Sequence, residues 1–206
     1  MCGVVGLSAD DPQPRHSAML RRLFEESKVR GMHAFGFSSW DGGTVLTRRF
    51  LRLGECLAAL PPCPTRLIGH CRYATSGDYK TLDNNQPIHA GGAALAFNGV
   101  ISMATKPEYE RQYGRQYATD NDGEIFLDKF LRGDDWERFV AAGSFSFAGL
   151  VLRAGEIVAL RNQRRPLYRC REEGAVFFAS TADIFRRAGF RSQPEPVPPG
   201  VACRAA

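Results

Sequence analysis

The chain opens Met1-Cys2-Gly3-Val4-Val5-Gly6-Leu7, and this stretch constrains what the rest can build. Val4, Val5 and Leu7 sit in a run without polar side chains, which reads as a short buried strand. The residue ahead of that strand is a cysteine. Aminopeptidases remove an initiator Met when the next side chain is small, as cysteine is, so Met1 is expected to be lost. Cys2 would then carry both a thiol and a free α-amine, held rigidly by the strand. Such an amine, with an unperturbed pKa of about 7.7–8.0, can act as base toward its own nucleophile. The plainer reading of these seven residues is a buried cysteine at the start of a strand.

A length of 206 residues suits one domain, residues 2–206, around one substantial core. No apolar run approaches the roughly 18 residues of a membrane span, and no basic-then-apolar leader opens the chain. Cys2, Cys56, Cys63, Cys71, Cys170 and Cys203 form no C-x-x-C pair, which argues against a zinc knuckle or a thioredoxin-like motif. Reduced thiols in a cytoplasmic protein are the expectation. The formal charge of +5 is modest and its arginines are scattered, with pairs such as Arg21-Arg22 and Arg164-Arg165. A solvated basic face explains them better than a nucleic-acid surface.

Residues 8–16 read as loop, and Ser17 as the cap of a helix running to about Arg30 and stopped by Gly31. Strands are expected at 33–40 and 44–50 around the turn Asp41-Gly42-Gly43. Residues 51–65 form a connector whose Pro61-Pro62-Cys63-Pro64 run excludes helix and central strand. Residues 66–74 return to a buried strand, and the polar stretch 76–87 reads as a mobile loop. A small-residue strand at 92–97 is expected to end in a sharp turn at Asn98-Gly99. Residues 102–119 show no clear periodicity. From Asp122 a helix runs to about Arg132, with Phe126 and Phe130 as an i,i+4 pair. A short helix over 134–141 follows, then strands at 145–152, 156–161 and 175–179, a helix at 182–188, and a proline-rich tail over 193–206. Strand pairs with few helices point to a layered α+β fold rather than a doubly wound parallel sheet.

Five stretches stand in a telling order: Cys2-Gly3-Val4-Val5-Gly6, Arg30-Gly31-Met32-His33-Ala34-Phe35-Gly36, Gly69-His70-Cys71-Arg72-Tyr73-Ala74-Thr75, Phe97-Asn98-Gly99-Val100-Ile101 and Asn121-Asp122-Gly123-Glu124-Ile125. Arg161-Asn162, Pro166-Leu167-Tyr168 and Phe178-Ala179-Ser180 follow. This series resembles the class II glutamine amidotransferase domain of the N-terminal nucleophile hydrolase superfamily, over about residues 2–190. That domain opens glucosamine-phosphate synthase, amidophosphoribosyltransferase and glutamine-dependent asparagine synthetase.

The resemblance implies a four-layer α/β/β/α sandwich of two antiparallel sheets. It implies release of ammonia from the side-chain amide of L-glutamine, without metal or organic cofactor. Cys2 corresponds to the nucleophile, Asn98 and Gly99 to the oxyanion hole, and Arg30 to a residue that orders the nucleophile's terminus. Arg72 stands where the family binds the α-carboxylate and Asp122 where it binds the α-ammonium. Tyr73 and Thr75 belong to the loop that closes over glutamine. Read singly, Arg72 is a surface ion-pair partner, Asp122 a helix cap, Asn98-Gly99 a hairpin turn, and His70 a core histidine; the ordered set carries the functional reading.

Three positions depart from the family pattern. His33 replaces a common acidic residue, Gly123 replaces a frequent Ser or Thr, and Ser76 stands where the hexosamine branch has histidine. The relatives continue into a synthase, transferase or ligase domain, so this chain is expected to be a glutaminase subunit that hands ammonia to a separate synthetase. Two alternatives stay open: an amidohydrolase for another γ-glutamyl amide, and a non-catalytic regulatory module of the same fold.

Overall fold

The computed structural model describes residues 1–75 and 77–205. In chain order, β1 (Gly3–Ser8), α1 (Pro14–Ser27) and a 3-10 turn (Lys28–Arg30) lead into β2 (Ala34–Trp40) and β3 (Val45–Phe50). Then come α2 (Leu53–Ala58), β4 (Arg66–Arg72), a second 3-10 turn (Leu82–Asn84), β5 (Ile88–Ala90) and β6 (Ala93–Val100). The helices α3 (Lys106–Tyr113), α4 (Gly123–Arg132) and α5 (Trp136–Ala142) precede β7 (Ser146–Arg153), β8 (Glu156–Arg161), β9 (Tyr168–Glu172) and β10 (Ala175–Ala179). The chain closes with α6 (Ala182–Arg187), β11 (Glu195–Pro196) and β12 (Cys203–Ala205).

The strands form two antiparallel sheets, ordered β11-β9-β10-β1-β4-β2-β3 and β12-β8-β7-β6-β5. Side-chain alternation along each strand sorts the apolar residues into three layers. On β1 and β4, Val5, Leu7, Leu67 and Cys71 face α1, α2 and α6, where Leu20, Leu23, Phe24 and Phe185 complete one core. Val4 and Ile68, pointing the other way, meet Ala94, Ala96, Leu150 and Leu152 between the sheets. On the far side of the second sheet, Leu95, Phe97 and Phe147 pack under α4's Ile125, Phe126 and Phe130. The result is the four-layer α/β/β/α sandwich. Small residues on β6 let the sheets approach, and β4 does the same for α1: a Cβ at Gly69 would lie 2.1 Å from Cζ of Phe24.

Several boundaries differ from the sequence expectation, each for a local reason. The first helix starts at Pro14, not Ser17, because Pro14 occupies the first helical turn while Gln13 and His16 cap each other reciprocally. The connector 51–65 holds α2, and 102–119 holds α3, which a Thr105–Glu108 capping box opens and Gly114 at φ 63° ends. Asn98-Gly99 is not a turn. It lies inside β6, with Asn98 opposite Ala148 and Gly99 opposite Phe147. Glycine is required there by close approach, since a Cβ would sit 2.0 Å from the Ser146 carbonyl oxygen. The turn into β6 is made instead by Gly91 and Gly92, at φ 53° and 72°. The strand β9 was absent from the sequence reading. The proline-rich tail supplies β11 and β12, which edge the two sheets.

Candidate active site

The start of β1, the end of β4, the 3-10 turn after α1 and the end of β6 converge at one edge of the inter-sheet layer. Cys2, 9% exposed, sits where they meet. Its backbone N–H donates to Asn98 Oδ1 at 3.0 Å. Its carbonyl accepts from Arg30 Nε at 2.9 Å. Its Sγ is 3.4 Å from the Tyr73 N–H nitrogen, which donates to it. Burial pushes the Cys2 thiol above its ordinary pKa; the Tyr73 N–H, the terminal ammonium, Arg72 and Arg30 all pull the other way. Cys2 therefore rests as a thiol near neutral pH.

Only an oxygen can accept from the Cys2 N–H, so the Asn98 amide has one orientation, with Nδ2 turned the opposite way. That Nδ2 is buried and has no partner among the described residues. Gly99 follows on the same strand. Phe97, two residues back, donates its N–H to Gln86 Oε1 at 2.7 Å, away from β7. Strand alternation puts the Gly99 N–H on that same edge.

Arg72 closes β4 and is 3% exposed. Its guanidinium binds the Asn84 carbonyl, Asn85 Oδ1 at 2.6 Å and the Gly77 carbonyl at 3.5 Å. The loop expected to be mobile over 76–87 is thus tied down in its second half, where Asn84, Asn85 and Gln86 are buried. The exposed part is Asp78 and residues 80–83, with Tyr79 half-buried between them. Ser76 lies outside the described residues.

Asp122 precedes α4 but its side chain does not cap that helix. Asn121 Oδ1 does, accepting from the Gly123 N–H at 3.1 Å. Asp122 Oδ2 accepts instead from the N–H groups of Ile101 and Ser102, at 2.5 and 3.0 Å. Burial raises its pKa, against those two N–H bonds and the charge of Arg72. Asp122 and Thr75 border a cavity of about 300 Å³, together with Gly77, Ser102, Tyr109 and Asp120. Cys2, Arg30, Asn98, Gly99, Arg72 and Tyr73 thus cluster at the nucleophile, and Thr75 and Asp122 at the adjoining cavity.

Sequence reasoning missed how His33 works. Its ring is stacked between Tyr73 and Tyr79, centroids 5.0 and 4.9 Å away, and its Nδ1 accepts from the Ala74 N–H at 2.9 Å. The histidine at position 33 was legible; the two tyrosines that make it a stack were not. His70 Nε2 meets the Phe97 carbonyl at 3.0 Å across the two sheets. Burial and Arg72 hold its pKa down, to about 3, so it is neutral and packs as a core residue. Among the described residues no three His, Cys, Asp or Glu side chains gather to hold a metal ion. Nor is any described helix long and apolar enough to cross a membrane.

No protein-family model matches the chain. Over 145 residues it is 30% identical to the amidophosphoribosyltransferase of Methanothermobacter thermautotrophicus, across 65% of this chain and 30% of that protein. Over 142 residues it is 31% identical to the isomerizing glutamine–fructose-6-phosphate aminotransferase of Bradyrhizobium diazoefficiens, across 64% of this chain and 22% of that protein. Its fold matches that of the glutamine phosphoribosylpyrophosphate amidotransferase of B. subtilis with a TM-score of 0.76, at 21% identity, over 96% of this chain and 46% of that one. The chain spans less than a third of the length of either curated relative.

Proposed function

We propose that this chain, by homology and by fold a class II glutamine amidotransferase domain of the N-terminal nucleophile hydrolase type, hydrolyses the side-chain amide of glutamine through Cys2 and supplies the ammonia to a separate synthetase. The observation that carries the reading is at Asn98. Its Oδ1 holds the Cys2 nitrogen while its buried Nδ2 has no partner among the described residues. A buried amide donor without a partner, on the residue that holds the nucleophile's nitrogen, is what an oxyanion hole requires before its ligand arrives.

The chemistry follows. Removal of Met1 turns the Cys2 nitrogen into a primary amine. The thiol, kept protonated by burial, passes its proton to that amine as sulfur attacks the amide carbon. Asn98 Nδ2 and the Gly99 N–H stabilise the tetrahedral oxyanion. The amine returns the proton to nitrogen, the C–N bond breaks and ammonia leaves. Water then cleaves the thioester, giving glutamate and restoring the Cys2 thiol. Arg30, through the Cys2 carbonyl, holds the terminus in register. Asp122 takes the α-ammonium, and Arg72 the α-carboxylate after exchanging part of its loop contacts. Tyr73 and Thr75 cover the substrate.

Delivery to a partner is supported by the apolar rim of the site. Val29 and Met32 flank Arg30, and both are exposed, as are Tyr73 and Met103. The test is glutamate release by the processed chain. Activity should vanish in Cys2→Ala and in protein that retains Met1. Full activity with Met1 uniformly retained would overturn the role of the amine.

A further inference from the structure

We propose that the Tyr109 hydroxyl is a specificity-determining group of the substrate cavity, accepting a hydrogen bond from a free primary ammonium held beside Asp122. The inference rests on the glutamine reading and deepens it. It assigns the site to γ-amides whose α-nitrogen is charged and unsubstituted.

Tyr109 lies on α3, in the segment 102–119 where the sequence offered no pattern. Its side chain is 2% exposed, yet its hydroxyl has no hydrogen-bond partner among the described residues. The ring packs beside Tyr117, with centroids 5.6 Å apart, and borders the cavity shared by Thr75, Gly77, Ser102, Asp120 and Asp122. Phenylalanine would fill the same apolar space without stranding a polar atom. A buried hydroxyl without a partner, on a residue that borders a cavity, is a group whose partner can come with the ligand.

The ligand's charge follows from the walls. Asp120 and Asp122 both border the cavity, and Asp122 and Arg72 are close enough to influence each other's charge. Lys106 also lines the cavity, so its charged lining is two carboxylates against one ammonium, which favours a cationic group at the Asp120–Asp122 wall over an anionic one. Burial first, then the carboxylates of Asp122, Glu124, Asp120 and Glu110, keep the Tyr109 phenol protonated and neutral. A neutral hydroxyl still has lone pairs to offer. Asp122 Oδ2 is already committed to the Ile101 and Ser102 N–H groups. An ammonium with three N–H bonds needs a further acceptor, and the Tyr109 oxygen supplies one. An N-acylated substrate loses the charge.

The experiment compares glutamine with glutaramate, the same γ-amide without the α-ammonium, in the wild type, Tyr109→Phe and Tyr117→Phe. A hydrogen bond to a charged group predicts a KM for glutamine raised roughly tenfold or more in Tyr109→Phe, with kcat retained. The kcat/KM for glutaramate should not change, so discrimination between the two falls by the same factor. Tyr117→Phe should leave the ratio alone. The melting temperature of Tyr109→Phe should hold or rise, because a stranded hydroxyl is removed. Equal loss for both substrates, or no change for glutamine, overturns the proposal. Calorimetric binding of glutamine to Cys2→Ala, with and without Tyr109→Phe, separates this inference from the hydrolysis reading. Tyr109-dependent binding without wild-type turnover sinks only the hydrolysis reading. Turnover with binding indifferent to Tyr109, or no glutamine binding at all, sinks this one.

Discussion

Asn98→Ala removes two hydrogen-bonding groups at once, and they act on different quantities. The Oδ1 that accepts from the Cys2 nitrogen at 3.0 Å supports the folded ground state. Stranding that buried donor costs about 1–3 kcal/mol. For a chain of about 200 residues this lowers the melting temperature by roughly 2–12 °C. The Nδ2 has no ground-state partner among the described residues, so its loss should cost little stability. Its contribution is to the oxyanion, where one lost donor lowers the rate by about 100- to 1000-fold, or about 2.7–4 kcal/mol of activation free energy. Asn98→Asp keeps an acceptor for Cys2 and removes the donor, while adding a carboxylate at a buried position. Glutamate release measured over a range of glutamine concentrations should show both variants with strongly reduced kcat and nearly unchanged KM. Thermal melts of Asn98→Ala should show the loss worked out above. A variant with kcat intact and KM raised would refute the oxyanion assignment, since the amide would then bind substrate and transition state alike.

Arg72→Lys keeps the charge but cannot hold the Asn84 carbonyl, Asn85 Oδ1 and the Gly77 carbonyl together. Limited trypsin digestion should therefore cut faster at Lys80, and KM for glutamine should rise; an unchanged cutting rate would show that the loop does not depend on the guanidinium. The raised pKa of Asp122 sets a pH window. As pH falls its carboxylate takes up a proton and loses its hold on an ammonium, so KM for glutamine should climb beginning above the usual Asp value of about 3.9. Asp122→Asn should give a high KM without that component in its pH profile. Gly69→Ala drives a methyl group into the Phe24 ring. Overpacking of this kind costs about 1–3 kcal/mol, and a melt that recovers in Gly69→Ala/Phe24→Leu would locate the strain; an unchanged melting temperature in Gly69→Ala would contradict the packing.

The sandwich was legible in the sequence because its inner strands alternate or run apolar, as in Gly3–Ser8, Arg66–Arg72 and Ala175–Ala179. The elements that escaped have no such signature. Tyr168–Glu172 carries three charged residues in five, and pairing with β10 and β11 makes it a strand. Asn98-Gly99 carried a turn signal that register overrode, because a glycine that permits a tight turn also permits close backbone approach. Around the site, Cys2, Arg72, Asn98 and Asp122 could be nominated by order along the chain. What they touch could not. The clamp of Asn84 and Asn85 on Arg72 joins β4 to a loop that composition marks as mobile. The His33 stack depends on two tyrosines, Tyr73 and Tyr79, lying far away along the chain. Tyr109 sits on a short helix whose pattern is mainly polar, with Tyr109 its one buried residue.

The account stands on Cys2 acting as an N-terminal nucleophile. The most direct measurement is mass spectrometry of the protein quenched in acid during glutamine turnover. The account predicts an N-terminal peptide that begins at Cys2 and carries a glutamyl group as a thioester, absent from Cys2→Ala and lost when glutamine is exhausted. Turnover with Met1 still attached and no adduct on Cys2 would contradict it.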